Sequence, residues 1–263
     1  MDTCDSEVVD KAMIQIENVS KFYGKKPSLQ GVTLKIEKGE VFGVLGPNGA
    51  GKSTLLSILS AISMPASGRV EINGLDLKKQ AKLVREQIGY VPQDIALWEH
   101  LTVKDNLIFW SKFSKRRVSK EELFELCRTV RLQGKWNEKV SSLSGGMKRK
   151  LNIAAALIHN PDILLMDEPT VGIDIQSKLE INQYIRDLAR NGKTIVYSTH
   201  DMSEILYLCN RIGVLKSGVL QFSGTIAEAR EMVKRKGFLP NSDEELIYLL
   251  LQDDSLEKPL PYF

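Results

Sequence analysis

The sequence predicts an α/β protein, and three observations carry that expectation. Short apolar runs without alternation, Val41-Phe-Gly-Val-Leu45 and Ile163-Leu-Leu-Met166, read as strands buried on both faces of a parallel sheet, with Thr194-Ile-Val-Tyr-Ser198 a weaker example. Each leads towards a helical pattern, over Lys52–Ala61, Gln176–Arg190 and Asp201–Cys209, the succession that builds a sheet covered by helices. Between about residues 94 and 160 the strand signals vanish, so a helical subdomain is expected to interrupt the α/β core.

The remaining elements follow in chain order. Residues 1–12 read as a loose acidic tail. From Met13 the pattern Met-Ile-Gln-Ile-Glu-Asn-Val-Ser alternates apolar and polar, as a half-buried strand should. A second alternating run, Val32–Ile36, closes at Lys38-Gly39, and Arg69–Ile72 runs into the tight turn Asn73-Gly74. These segments predict a small antiparallel β subdomain leaning on the core. Ser119-Lys-Glu-Glu122 is a capping box opening a helix towards Val130, and another helix starts near Gly146 and runs through Ile158. The main domain is expected over residues 13–224. Beyond it, Thr225–Lys236 and Asp243–Gln252 predict two helices in a short C-terminal extension, residues 225–263.

Composition narrows the class. With 43% hydrophobic and 26% charged residues in a chain of 263, a disordered or fibrous protein is excluded. Lys+Arg 36 against Asp+Glu 33 leaves a net charge of +3, too small to argue for nucleic acid as a partner. The runs Lys115-Arg116-Arg117 and Lys148-Arg149-Lys150 read as solvated helix faces. No apolar stretch approaches the ~18–20 residues of a membrane-spanning helix. Asp2, Asp5, Glu7 and Asp10 give the first residues the wrong charge for a secretory signal, so a cytoplasmic chain is expected. The scattered cysteines Cys4, Cys127 and Cys209 fit a reducing compartment and read as buried or incidental thiols.

Gly46-Pro47-Asn48-Gly49-Ala50-Gly51-Lys52-Ser53-Thr54 follows a buried strand and precedes a helical run, matching the P-loop pattern GxxxxGK[ST] in its required context. Glycines let successive backbone N–H groups turn inward around phosphate oxygens, and the helix N-terminus adds positive potential. Lys52 is placed to reach the β/γ-phosphates and the Ser53 hydroxyl to ligate Mg²⁺. The metal then needs a carboxylate, and Asp167 and Glu168 terminate the apolar strand at 163–166. Asp167 is assigned the metal and Glu168 the role of general base to the attacking water. A GTPase would carry NKxD and DxxG, neither of which occurs, and no arginine-rich lid marks a small kinase.

Leu143-Ser144-Gly145-Gly146-Met147 opens a helix with Ser and Gly in its first turn, a second anion site. Between the P-loop and the Asp-Glu pair, it closely resembles the signature motif of ATP-binding cassette (ABC) ATPases. The rest of that family's set occurs in order: Tyr23 resembles the aromatic that stacks on adenine, and Gln93 in Val91-Pro-Gln-Asp94 the Q-loop glutamine. Val171-Gly-Ile-Asp174 resembles the D-loop, and His200 in Ser198-Thr-His-Asp201 the switch histidine. Met147 stands where many cassettes carry Gln. The resemblance, over about residues 13–224, implies a P-loop NTPase (RecA-like) core that binds ATP and Mg²⁺. It implies catalytic roles for Glu168, His200 and Gln93, and a metal site of Ser53, Gln93 and Asp167. It also implies a homo- or heterodimer of cassettes in which Ser144, Gly145, Gly146 and Asp174 contact the partner's nucleotide.

The D-loop and the run Gly146-Met-Lys-Arg-Lys-Leu151 resemble the drug, antibiotic and lipid exporter branch. The chain would then power transport through separate transmembrane permease subunits, held peripherally on the inner face of the cell membrane. The docking groove is expected near Gln93 and Asp94–Trp110, where Leu97, Trp98, Leu101 and Phe109 supply apolar surface. A soluble ABC ATPase of translation or DNA maintenance is the alternative. A single P-loop, a single signature and the short segment between Gln93 and Leu143 favour the transporter. His100 and His159 match no motif and read as surface or capping residues.

Overall fold

Uninterrupted burial is what makes the central strands. Every residue of β3 (Val41–Leu45), β7 (Ile163–Asp167) and β8 (Thr194–Ser198) is buried, as the non-alternating runs demand. They lie in a six-stranded sheet of order β10-β9-β3-β8-β7-β6, with β6 (Ile88–Val91) and β9 (Arg211–Lys216) also parallel and β10 (Val219–Gly224) an antiparallel edge. The computed structural model describes residues 13–252; the expected acidic tail, Cys4 and the end of the C-terminal extension lie outside them.

The helices that cover this sheet are α1 (Lys52–Leu59), α5 (Gly145–Leu157), α6 (Ile175–Arg190) and α7 (Met202–Leu208). Register fixes the site: Asp167 pairs with Ser198, and Val44, next to the P-loop, also pairs with Ser198. The P-loop, the Asp-Glu pair and the His200 loop therefore leave the carboxyl ends of adjacent strands, where open α/β sheets bind their ligands.

The antiparallel subdomain is a four-stranded sheet of β1 (Ile14–Tyr23), β2 (Lys26–Ile36), β4 (Ser67–Ile72) and β5 (Leu75–Asp76), ordered β2-β1-β4-β5. Asn73 and Gly74 both take positive φ, 48° and 77°, as the expected tight turn requires. The helical subdomain holds α3 (Val103–Ser111), α4 (Lys120–Thr129) and α5 around a core including Val103, Leu107, Leu123, Cys127, Leu151 and Ala154. The Ser119–Glu122 capping box forms in both directions. So does a second box, Thr225–Glu228, which opens α8 (Ile226–Arg235); α9 (Asp243–Leu251) then packs with it beneath β9.

Four features depart from expectation. The amphipathic α2 (Leu77–Glu86), which buries Leu77 and Val84, and the short β6 were not among the expected elements; Gly89 in β6 is needed because a Cβ there would lie 2.5 Å from the Ala156 carbonyl. Lys115-Arg116-Arg117 lies in the loop before α4, not on a helix face. Lys148-Arg149-Lys150 is helical but not a solvated face: Arg149 is only 6% exposed, while Lys148 and Lys150 pair with Glu99 and Glu180. His159 is half-buried, with Nε2 3.0 Å from the Ile88 carbonyl. Among the described residues no helix is long and apolar enough to cross a membrane.

Candidate functional site

The P-loop is shaped by space as well as by torsion. A Cβ on Gly46 would fall 2.3 Å from the Leu215 carbonyl. Gly51, at φ 106°, would meet the Ser28 carbonyl at 2.5 Å, so neither position accepts a side chain. Lys52 begins α1 and is buried; its Nζ donates to the carbonyls of Gly46 at 2.7 Å and Pro47 at 3.3 Å. Thr54 Oγ1 shares a 2.7 Å hydrogen bond with Ser28, fastening α1 to β2, while Ser53, Pro47, Asn48 and Gly49 are exposed. No acidic residue occupies the first turn of α1, so its positive end faces the loop without a counter-charge.

Across from it, β8 holds the carboxylates. Ser198 Oγ donates to Asp167 Oδ1 at 2.6 Å. The Glu168 N–H points at both the Ser198 hydroxyl and its carbonyl, each at 3.1 Å. Glu168 is buried at φ 45°, in the left-handed region that non-glycine residues seldom enter. Its carboxylate lies between two nitrogens, Lys52 Nζ at 3.7 Å and His200 Nδ1 at 3.4 Å. The His200 ring is largely exposed. Burial, and secondarily the Asp167 charge, pushes the Tyr90 phenol up to about 12, so it stays a neutral donor.

The supporting carboxylate is Glu204 on α7, 1% exposed. It accepts from Thr170 Oγ1 (2.6 Å), Thr199 Oγ1 (2.7 Å) and Tyr197 OH (3.0 Å), with Lys178 Nζ at 3.3 Å. It thereby ties the turn after Glu168 to the strand and loop that present His200. The sequence showed neither Ser198 nor Glu204 as part of the site. The one hint was a hydroxyl ending an otherwise apolar run.

The other expected residues lie elsewhere. Ser144 caps α5, its hydroxyl accepting from the Met147 N–H at 3.3 Å. Asp174 caps α6, and hydrogen bonds from the Ser177 amide and hydroxyl hold its carboxyl below the usual range. Gly145 is exposed, but Gly146 is buried, and a Cβ on it would lie 2.1 Å from Ser177 Oγ. Among the described residues, neither Ser144 nor Asp174 makes a hydrogen bond or ion pair with Lys52, Ser53, Asp167 or Glu168. Gln93 is exposed in the loop after β6, and Tyr23 is exposed at the end of β1, its ring 5.5 Å from Lys21 Nζ. Of the apolar residues expected to line a groove, only Trp98 is freely exposed. Leu97 packs into the helical core, and Leu101 and Phe109 are half-buried. An edge-on aromatic series carries the surface on through Phe109 to Phe113, 71% exposed and beyond the expected segment.

A P-loop and an acidic strand end at the carboxyl edge of a parallel sheet, with a helical subdomain set into it, define an ATP-binding cassette of the P-loop NTPase class. The chain belongs to the ABC transporter family, whose model matches residues 29–171. It is 43% identical over 215 residues to the linearmycin resistance ATP-binding protein of Bacillus subtilis, covering 81% of this chain and 69% of that one. It is 41% identical over 219 residues to the Nod factor export ATP-binding protein I of Rhizobium etli, covering 82% and 68%. Among solved structures it resembles a dimeric ATP-binding cassette in a post-hydrolysis state with ADP and phosphate: TM-score 0.74, 30% identity, 81% of this chain and 98% of that one. It also resembles an ATP-binding subunit of an ABC transporter: TM-score 0.78, 27% identity, 90% and 99%.

Proposed function

We propose that this chain hydrolyses ATP to drive export through separate permease subunits, working as one of two cassettes in a homo- or heterodimer on the inner face of the membrane. The observation that carries the chemistry is Glu168, held beside Asp167 with Lys52 and His200 on either side of its carboxylate. Lys52 would turn from the Gly46 and Pro47 carbonyls to the β/γ-phosphates, which the open Pro47–Gly49 backbone cradles. Glu168 would take a proton from the water whose oxygen attacks the γ-phosphorus as the bond to the ADP oxygen breaks. His200 would hold that carboxylate and the departing phosphate in place. Tyr23 offers the adenine an exposed ring face.

Ser53, Gln93 and Asp167 present only oxygen donors, the hard set that suits Mg²⁺. Among the described residues no group of three or more His, Cys, Asp or Glu could hold a metal by itself. That fits an ion shared with phosphate oxygens and water, which would neutralise phosphate charge. Asp167 has one oxygen engaged by Ser198 and the other without a hydrogen bond from the described residues, so it can serve such an ion.

Export is supported by what two relatives are named for, linearmycin resistance and Nod factor export. A docking place for the permease is supported by a cavity of about 760 Å³ between the sheet and the helical subdomain. Tyr90, Pro92, Ala96, Trp110, Phe113 and Asn152 line it. The test of the nucleotide site is Lys52→Ala, which should abolish hydrolysis and sharply weaken Mg-ATP binding in calorimetry; unchanged affinity would refute it.

A further inference from the structure

Among the described residues, Arg149 is a buried cation with no salt-bridge carboxylate. It sits on α5, 6% exposed, and its guanidinium donates to main-chain carbonyls, from Nη1 to Gln93 at 2.6 Å and Pro92 at 3.3 Å. Nη2 reaches the Val171 carbonyl at 3.5 Å, while Nε has no partner. Burial lowers the pKa of this group, and the charges of exposed Asp94 and of Tyr197 work against that. An apolar side chain of similar length would fill the space at no desolvation cost, so stability does not explain an arginine here.

Its contacts do. The Gln93 loop and the Val171–Asp174 loop leave different strands, and Arg149 touches both from a third element. The same face of α5 repeats the grip on either side. One turn on, Asn152 Oδ1 accepts from the Ala96 N–H at 3.2 Å. One turn back, Gly146 packs so closely on Ser177 that no Cβ fits, which locks the start of α5 to the helix that Asp174 caps. The helix, the Gln93 loop and the Asp174 loop are thus clamped at successive turns, and Arg149 bridges all three.

We propose that Arg149 is a positioning residue: its guanidinium fixes the Gln93 loop and the Val171–Asp174 loop to α5. The side chain facing the metal and the residues facing the second cassette then move as one body with Ser144. The proposal rests on the roles given above to Gln93, Asp174 and Ser144. It adds that the permease-side loop and the dimer-side loop are coupled through one side chain. Arg149 touches no substrate; it acts by holding others within the few tenths of an ångström that turnover needs.

The test uses Arg149→Met and Arg149→Lys in the full chain. Arg149→Met should leave the thermal midpoint little changed, since relief of the buried charge offsets the lost hydrogen bonds to the three carbonyls. Mg-ATP affinity should stay within about twofold of the parent, while kcat falls by about tenfold or more. Amide exchange should rise about tenfold in residues 93–96 and 171–174, with the β7 and β8 amides unchanged. Arg149→Lys, which can reach one carbonyl, should recover part of both. Turnover and protection both at parent level in Arg149→Met would overturn the proposal. So would a fall in kcat with both loops still protected. Loosened loops with unchanged kcat would also overturn it, by removing the roles given to Gln93 and Asp174 while the nucleotide site tested by Lys52→Ala still stood.

Discussion

A left-handed backbone at a non-glycine residue costs of order 1–3 kcal/mol, and Glu168 adopts one at φ 45°. Its N–H donates to both the hydroxyl and the carbonyl of Ser198, which holds it there, and the conformation turns the carboxylate away from the strand axis towards Lys52 and His200. Asp167, one residue earlier, stays in regular strand geometry with an oxygen fixed by the same serine. Neighbours in sequence are therefore set to different work, and substitution should separate them. Glu168→Gln keeps size and hydrogen-bonding reach but takes no proton, so turnover should drop ~10²–10⁴-fold while Mg-ATP binding persists. Asp167→Asn should weaken Mg²⁺-dependent binding itself. Parent turnover in Glu168→Gln, measured as phosphate release, would move the base elsewhere.

Helix α7 is where an element depends on a charge set at its end. Asp201 caps it, accepting from the Ser203 and Glu204 amides and the Ser203 hydroxyl, and pairs with Lys178 on α6. Burial would raise its pKa, but the bonds from Lys178 and Ser203 outweigh that and bring it down from 3.8 to about 2. A carboxyl depressed in the folded state stabilises fully above its unfolded value and loses that contribution as pH falls through its folded one, here between about 4 and 2. The shift would amount to roughly 2 kcal/mol, and with the side chain 37% exposed solvent cuts it to below about 1. Asp201→Asn keeps the cap. It should therefore lower the urea midpoint at pH 7 slightly, and that gap should close as pH drops from 4 towards 2; a constant gap would contradict the pairing. Legibility in the sequence followed the same logic of strong local signals. The strands β3, β7 and β8 were readable because burial on both faces leaves no polar position. The box at Ser119–Glu122 was readable because both partners lie within one turn. Arg149 was not, because a basic run looks alike whether water or two loops surround it, and only the packing of α5 decides. Nor was Glu204 visible, since its hydrogen-bond donors come from α7's neighbours in space, scattered between Thr170 and Thr199 in the chain.

At the scale of the whole molecule the site is split. Lys52, Asp167, Glu168 and His200 gather at the sheet edge, whereas Ser144 and Asp174 cap helices elsewhere and, among the described residues, make no hydrogen bond or ion pair with those four. Ser144 and Gly145 are exposed, so the N–H groups at the start of α5 face outwards, as a surface for another molecule's phosphate would. On α6, Ile175 and Leu179 are 79% and 58% exposed beside Asp174, adding apolar area to the same face. Under the proposed function a second cassette would lie head to tail, each lending its α5 terminus to the other's nucleotide, and this can be tested by blocking one half only. Ser144→Arg places bulk at that terminus while touching nothing buried; losing the cap should cost about 1 kcal/mol and leave the fold intact. In a Glu168→Gln background the parent should elute as a dimer in Mg-ATP, because the nucleotide that joins the cassettes persists. With Ser144→Arg added, the same chain should bind Mg-ATP nearly as well yet elute as a monomer. Binding would then be separated from assembly, as a site shared between two chains demands. A dimer that survives Ser144→Arg would mean that the α5 terminus does not meet the partner's phosphate, and the head-to-tail arrangement would fall with it.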